Sequence, residues 1–158
     1  MADAPELHPV ETGYKNVLRI RLGLAWLLLT IIATVPASAL SETSAAAWLL
    51  PLVVLAIGLA VVAIAPQRIY RRLRYGLTDR LLQVVRGWLF HTDTVVPLVR
   101  VQHIDVVRGP FDKMFGTSSL VVHTAGTHNS IVTVRGLAPE RAAAMRDVIR
   151  EHVRTDFA

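Results

Sequence analysis

Two uncharged apolar stretches, Leu22 to Leu40 and Ala45 to Ala65, lie almost end to end in the first half of the chain. Each holds 19 to 21 residues, which at about 1.5 Å per helical residue is enough to cross a hydrocarbon core of roughly 30 Å. Only Ser41-Glu42-Thr43-Ser44 separates them. The chain is therefore expected to cross a membrane, turn tightly and cross back, leaving nearly everything else on one side.

The basic residues say which side. Lys15, Arg19 and Arg21 precede the first stretch, Arg68, Arg71, Arg72 and Arg74 follow the second, and the connection carries one acid and no cation. The positive-inside rule then places both termini in the cytoplasm. The expected organisation is a cytoplasmic segment over 1–21, spans over 22–40 and 45–66, an external turn over 41–44, and a cytoplasmic domain over 67–158. Trp48 and Tyr70 fall near the outer and inner interfaces, where amphipathic rings prefer to lie.

A second reading concerns processing. Basic residues, an apolar run and then Val35-Pro36-Ala37-Ser38-Ala39 resemble a signal peptide cleaved after Ala39. A polar leader of some twenty residues is long for that, and a second span follows at once. The chain has no cysteine, which fits a cytoplasmic domain.

Hydrophobic residues make up 53% of the sequence and mean hydropathy is +0.44, both raised by the two spans. Residues 68–158 carry 14 of the 17 Lys and Arg but 8 of the 12 Asp and Glu, a net charge of +6 beside an inner leaflet that is usually anionic. Arg68, Arg71, Arg72 and Arg74 are the candidate contacts for anionic lipid, or they serve only to set topology. Nucleic acid is not expected, because aromatic residues do not interleave with the arginines and no recognition helix is evident.

Neither span carries a charged residue, whereas proton relays and ion paths normally need an ionisable group or a broken helix within the bilayer. Anchoring is the expected role. Ala56, Gly58, Ala60 and Ala63 would let another helix approach closely.

Beyond Ala65 the pattern alternates. Arg68–Leu77 is expected to be the end of the second helix running into a first strand, and further strands are expected over Leu81–Arg86, Thr94–Pro97, Val101–Arg108, Ser119–Thr124 and Ser130–Arg135, with a helical turn over Asp112–Phe115. Gln102, Ile104 and Val106 should share one face of their strand, His103 and Asp105 the other. At least one of Arg100 and Gln102 should point inward or to an edge. From Pro139 the period becomes helical, with Met145, Val148, Ile149 and Val153 on one stripe.

His103 with Asp105, and His123 with His128, are the nearest approach to a metal or acid–base cluster. There is no glycine-rich phosphate loop, no H-E-x-x-H and no nucleophile elbow. No enzyme activity, metal or cofactor is expected.

The ordered set Leu77-Thr78-Asp79, Val85-Arg86-Gly87, Pro97 to Gln102, Gly109-Pro110-Phe111, Phe115-Gly116-Thr117 and Thr124-Ala125-Gly126 resembles the bacterial pleckstrin-homology-like domain of YdbS-type membrane proteins. The resemblance covers about residues 14–154. It implies a two-helix transmembrane hairpin followed by an α+β domain, a bent seven-stranded antiparallel sheet or barrel with a C-terminal capping helix. The residues themselves give six strands. The likeness brings no agreed biochemical activity; the expected role is a non-enzymatic binding or assembly module in a bacterial plasma membrane, with strand edges and the exposed sheet face as its means. Its expected partners are membrane lipids and either further copies or another membrane protein of the same domain type. The alternative is a small subunit of an export or envelope-stress complex that uses the hairpin as its interface. Gly87, Pro97, Gln102, Gly109, Pro110, Phe115, Gly116 and Gly126 are read as structural, with Phe111 and Phe115 forming a hydrophobic plug.

Overall fold

The computed structural model describes residues 6–40, 45–88, 90–125 and 131–155. The expected turn at 41–44 and two loop residues of interest, Gly126 and His128, lie outside them. Helix α1 (Gly13–Leu40) and helix α2 (Leu49–Arg72) pack against each other, with a 3-10 turn at Ala45–Trp48 leading into α2. Both are long and apolar enough to cross a membrane, and only 11% of the most apolar window of each is buried. Core helices of a soluble protein bury far more, so these leucine-rich surfaces require an apolar surrounding.

Their contact is made by small residues. Pro51, Gly58 and Ala65 are buried on α2 at spacings of seven, the repeat that keeps one seam facing a partner helix. A Cβ added at Gly58 would lie 3.1 Å from the Trp26 Cβ and 3.2 Å from its ring. Glycine there admits the indole of the neighbouring helix.

Both helices outrun the expected spans. α2 continues through Pro66 to Arg72, and a single residue, Leu73, separates it from strand β2 (Arg74–Leu77). α1 starts nine residues before Leu22. Just ahead of it, His8–Pro9 forms strand β1, paired antiparallel to Arg74–Tyr75 of β2. The seventh strand therefore comes from the segment expected to be a plain cytoplasmic tail. Two residues leave no periodic signal; the strand exists because β2 offers a free edge.

Strands β3 (Leu81–Arg86) and β4 (Thr92–Pro97) complete a four-stranded sheet in the order β1-β2-β3-β4. Pro97, which cannot donate to a ladder, ends the outermost strand. β5 (Val101–Val107), β6 (Ser118–Thr124) and β7 (Ile131–Leu137) form a second antiparallel sheet. A short helix α3 (Pro110–Met114) connects β5 to β6, and helix α4 (Pro139–Thr155) follows β7. Leu82, Val84, Leu120, Val122, Val132 and Val134 supply the centre of one core shared by both sheets, with Ala142, Met145 and Ile149 of α4.

Two local expectations are corrected. Arg100 and Gln102 are both exposed rather than inward, Gln102 on the edge strand β5, where a 3-10 turn at Leu98–Arg100 and a bulge between Val101 and His103 break the alternation. The bulge also separates Gln102 from Ile104, which packs on the core while Gln102 does not. On α4, Val148 is 44% exposed, and Ala142 takes its place on the buried stripe with Met145, Ile149 and Val153.

Candidate functional site

The first turns of α1 are built into the soluble domain. Val10, Tyr14 and Val17 are 4%, 3% and 0% exposed and belong to its core. Val10 lies just ahead of α1, and Tyr14 and Val17, three apart on its first turns, form a buried stripe that ends where the span begins. The Glu11 N–H donates to the Gly136 carbonyl at 2.7 Å. Gly136 has φ +75°, and a Cβ on it would lie 2.6 Å from the Tyr14 ring, so glycine is required both by conformation and by contact. Gly13 sits so close to the Phe115 carbonyl that a side chain there would collide with it.

The socket that receives α1 is the Gly109–Thr117 motif. Gly109 precedes α3, Pro110 opens it and Gly116, at φ +63°, lets the chain leave it. Within this loop Asp112 is 4% exposed. Its carboxylate accepts from the Gly109 N–H at 3.1 Å, the Thr117 hydroxyl at 3.0 Å and Arg21 Nη2 at 3.1 Å. A buried carboxylate with three donors is satisfied, and one of those donors comes from the mouth of the first span. Phe111 and Phe115 pack on the core beside it, as a plug.

Tyr14 shares this environment. Burial raises its phenol above the ordinary value of 10.0, opposed chiefly by the Arg135 guanidinium.

The candidate lipid-contact arginines divide. All four are exposed, but Arg72 also donates to the Trp88 carbonyl at 2.8 Å and so ties the end of α2 to the β3–β4 connection. Tyr70, expected near the inner interface, is partly buried against the domain core, while Trp48 is 44% exposed. Of the four small residues on α2, Gly58 meets Trp26 of the same chain, and Ala56, Ala60 and Ala63 are exposed. Gly87 lies against the Phe90 carbonyl.

His103 and His123 face each other across β5 and β6, with ring centroids 5.8 Å apart. Asp105 lies 3.0 Å from His103 Nε2 and 3.7 Å from His123 Nε2. All three side chains are solvated, at 68%, 36% and 47% exposure for His103, His123 and Asp105. Among the described residues no group of three or more His, Cys, Asp or Glu is placed to hold a metal ion.

Sequence reasoning missed the Arg21–Asp112 pair and the core role of the N-terminal segment. The stripe Val10, Tyr14, Val17, Leu18 was the available signal. It was hidden because Lys15, Arg19 and Arg21 on the same turns had a sufficient explanation in topology.

Two apolar helices, two antiparallel sheets and a capping helix, with the hairpin rooted in the domain, define a membrane protein built on a bacterial PH domain. The chain belongs to the bacterial PH domain family, which matches residues 17–153. It is 32% identical over 110 residues to the UPF0699 transmembrane protein YdbS of Bacillus subtilis (strain 168), covering 70% of this chain and 64% of that relative. The match thus spans a little under two thirds of the relative's length. No solved structure matches. The chain is a transmembrane protein with two candidate spans.

Proposed function

We propose that this chain is a non-enzymatic, membrane-anchored module that holds its PH domain at the inner face of a bacterial plasma membrane. There it binds or assembles with another copy or with a second membrane protein of the same domain type. The observation that carries this reading is the absence of a linker. α1 begins inside the domain core, α2 ends one residue before β2, and Arg21 is bonded to Asp112. A domain fixed to its anchor at both helices is presented in one orientation, which suits docking on a membrane-bound partner and reduces the freedom lost on association.

Orientation follows from the cations flanking the hairpin. Arg68, Arg71 and Arg74, exposed where α2 leaves the span, are placed to meet anionic headgroups, each contributing about 1 kcal/mol.

Because the chain lacks cysteine, single-cysteine variants report topology and association directly. Glu42→Cys is expected to react with a membrane-impermeant maleimide added outside intact cells, and Met114→Cys only after lysis. Two differently tagged copies co-expressed at low level should co-purify in mild detergent. Labelling of Met114→Cys in intact cells would sink the orientation. Failure of the two copies to co-purify would confine the reading to a partner other than the chain itself.

A further inference from the structure

β5 is an outer strand of its sheet. Among the described strands it pairs only with β6, so its second edge carries backbone donors and acceptors with no strand beside them. α4 runs past that edge, and between them lies a cavity of about 370 Å³. Consecutive residues 101–104 of β5 form one wall; Arg146, Arg150 and Val153 of α4 form the other. Val101 and Ile104 pack toward the core while Gln102 and His103 are exposed across the bulge, so a cavity touching all four runs along the strand's edge rather than over either face.

The two walls match in length. Residues 146 to 153 span about 10 Å of helix at 1.5 Å per residue, and residues 101 to 104 span about 10 Å of strand at 3.3 Å per residue. The slot has room for about four residues of extended chain, with Val101, Ile104 and Val153 as its apolar lining.

Charge selects the occupant. Arg150 is exposed and makes no ion pair among the described residues. Arg146 donates from Nε and Nη2 to the exposed Asp147 carboxylate at 2.9 and 2.8 Å, its one ion pair among the described residues, which an incoming carboxylate would have to share or displace. The two arginines stand one helical turn apart, about 6 Å along the axis, close to the roughly 6.7 Å between alternate residues of a strand. We infer that this slot takes an extended acidic segment of a partner protein, added beside β5 as a fourth strand, with two carboxylates two residues apart meeting Arg146 and Arg150. Backbone pairing supplies the affinity and the arginines the selectivity. The inference rests on the binding-module reading and names the kind of partner that module takes.

The test pans a random heptapeptide library against the full chain in dodecyl maltoside micelles. The expected result is enrichment of Asp or Glu at alternate positions. The most enriched peptide, measured by fluorescence anisotropy, should bind Arg150→Glu at least tenfold more weakly, with Arg150→Gln intermediate and the melting temperature unchanged. A backbone N-methylated copy of that peptide should also bind at least tenfold more weakly, because it cannot join a ladder. No acidic enrichment, affinity indifferent to Arg150, or undiminished binding of the N-methylated copy would overturn the inference. So would Arg150-dependent binding of dihexanoyl phosphatidic acid with no peptide bound, which would make the slot a site for an anionic amphiphile. Copies that still co-purify while no peptide binds would remove the slot and leave the assembly reading standing.

Discussion

Arg21, at the mouth of the first span, donates to the buried carboxylate of Asp112, 91 positions later in the chain, at 3.1 Å. The pair joins the membrane anchor to the loop between β5 and β6. The Arg21 side chain is 44% exposed and that of Asp112 6%, so the two ends of the bond are unequal. Removing the arginine leaves a carboxylate still held by Gly109 and Thr117. Removing the carboxylate strands a buried hydroxyl and an N–H.

Asp112→Ala is accordingly expected to cost about 3 kcal/mol of folding stability and Arg21→Ala about 1 kcal/mol. Asp112→Asn should fall between them. Denaturant unfolding in micelles, followed by circular dichroism, measures the order. Equal losses for Asp112→Ala and Arg21→Ala would mean that the loop does not depend on Asp112.

The soluble domain is not contained in residues 68–158. A fragment of that range lacks β1 and the core side chains Val10, Tyr14 and Val17. It should be poorly soluble and show no cooperative thermal transition. Joining residues 6–21 to 68–155 through a flexible Gly/Ser linker in place of the spans should restore one. The same reasoning bears on cleavage after Ala39, which would take a strand and part of the core away with the leader. A cooperative transition in the bare 68–158 fragment would contradict this account.

Gly58 and Trp26 act as one unit in the hairpin. Gly58→Leu should destabilise it by about 1–3 kcal/mol, since a side chain there enters space filled by the indole. Trp26→Ala opens that space, so the double variant should be more stable than the sum of the single effects predicts, with a coupling of about 1 kcal/mol or more. Melting temperatures of the four proteins in one detergent give the cycle. Strict additivity would show that the two helices do not meet there in the membrane.

Tyr14 gives the fold an alkaline limit. Its phenol titrates higher when folded, mainly through burial, so the neutral form is favoured in the native state. That contribution is fully present below the unfolded value, near pH 10, and is lost as pH rises through the folded one. Tyr14→Phe should therefore lose stability less steeply than the parent above pH 10. Parallel stability curves for the two proteins would exclude the effect.

Much of the β domain was legible locally. Alternation marked β3, β5, β6 and β7, because half-buried strands must alternate. Pro139 and Glu140 marked the start of α4 by the demands of a helix N-terminus. Legibility failed where local rules were interrupted. The bulge at Val101 and His103 turned Gln102 away from the face that alternation assigned to it. Val148 lost its place on the α4 stripe to Ala142, since which of several adjacent apolar residues is buried depends on where the sheet lies, not on helical period alone.

By itself the sequence determined the two spans, their hairpin connection and the flanking cations, because crossing a bilayer needs only a run of about 20 apolar residues and a charge asymmetry. Residue order also carried the likeness to the bacterial PH domain. Tertiary structure alone decided that the anchor and the domain are one body. A two-residue strand at His8–Pro9 exists only because the edge of β2 is open to it, and Arg21 meets Asp112 only once α3 has closed around that carboxylate. Contacts so distant in the chain depend on the assembled core, which brings their partners within reach.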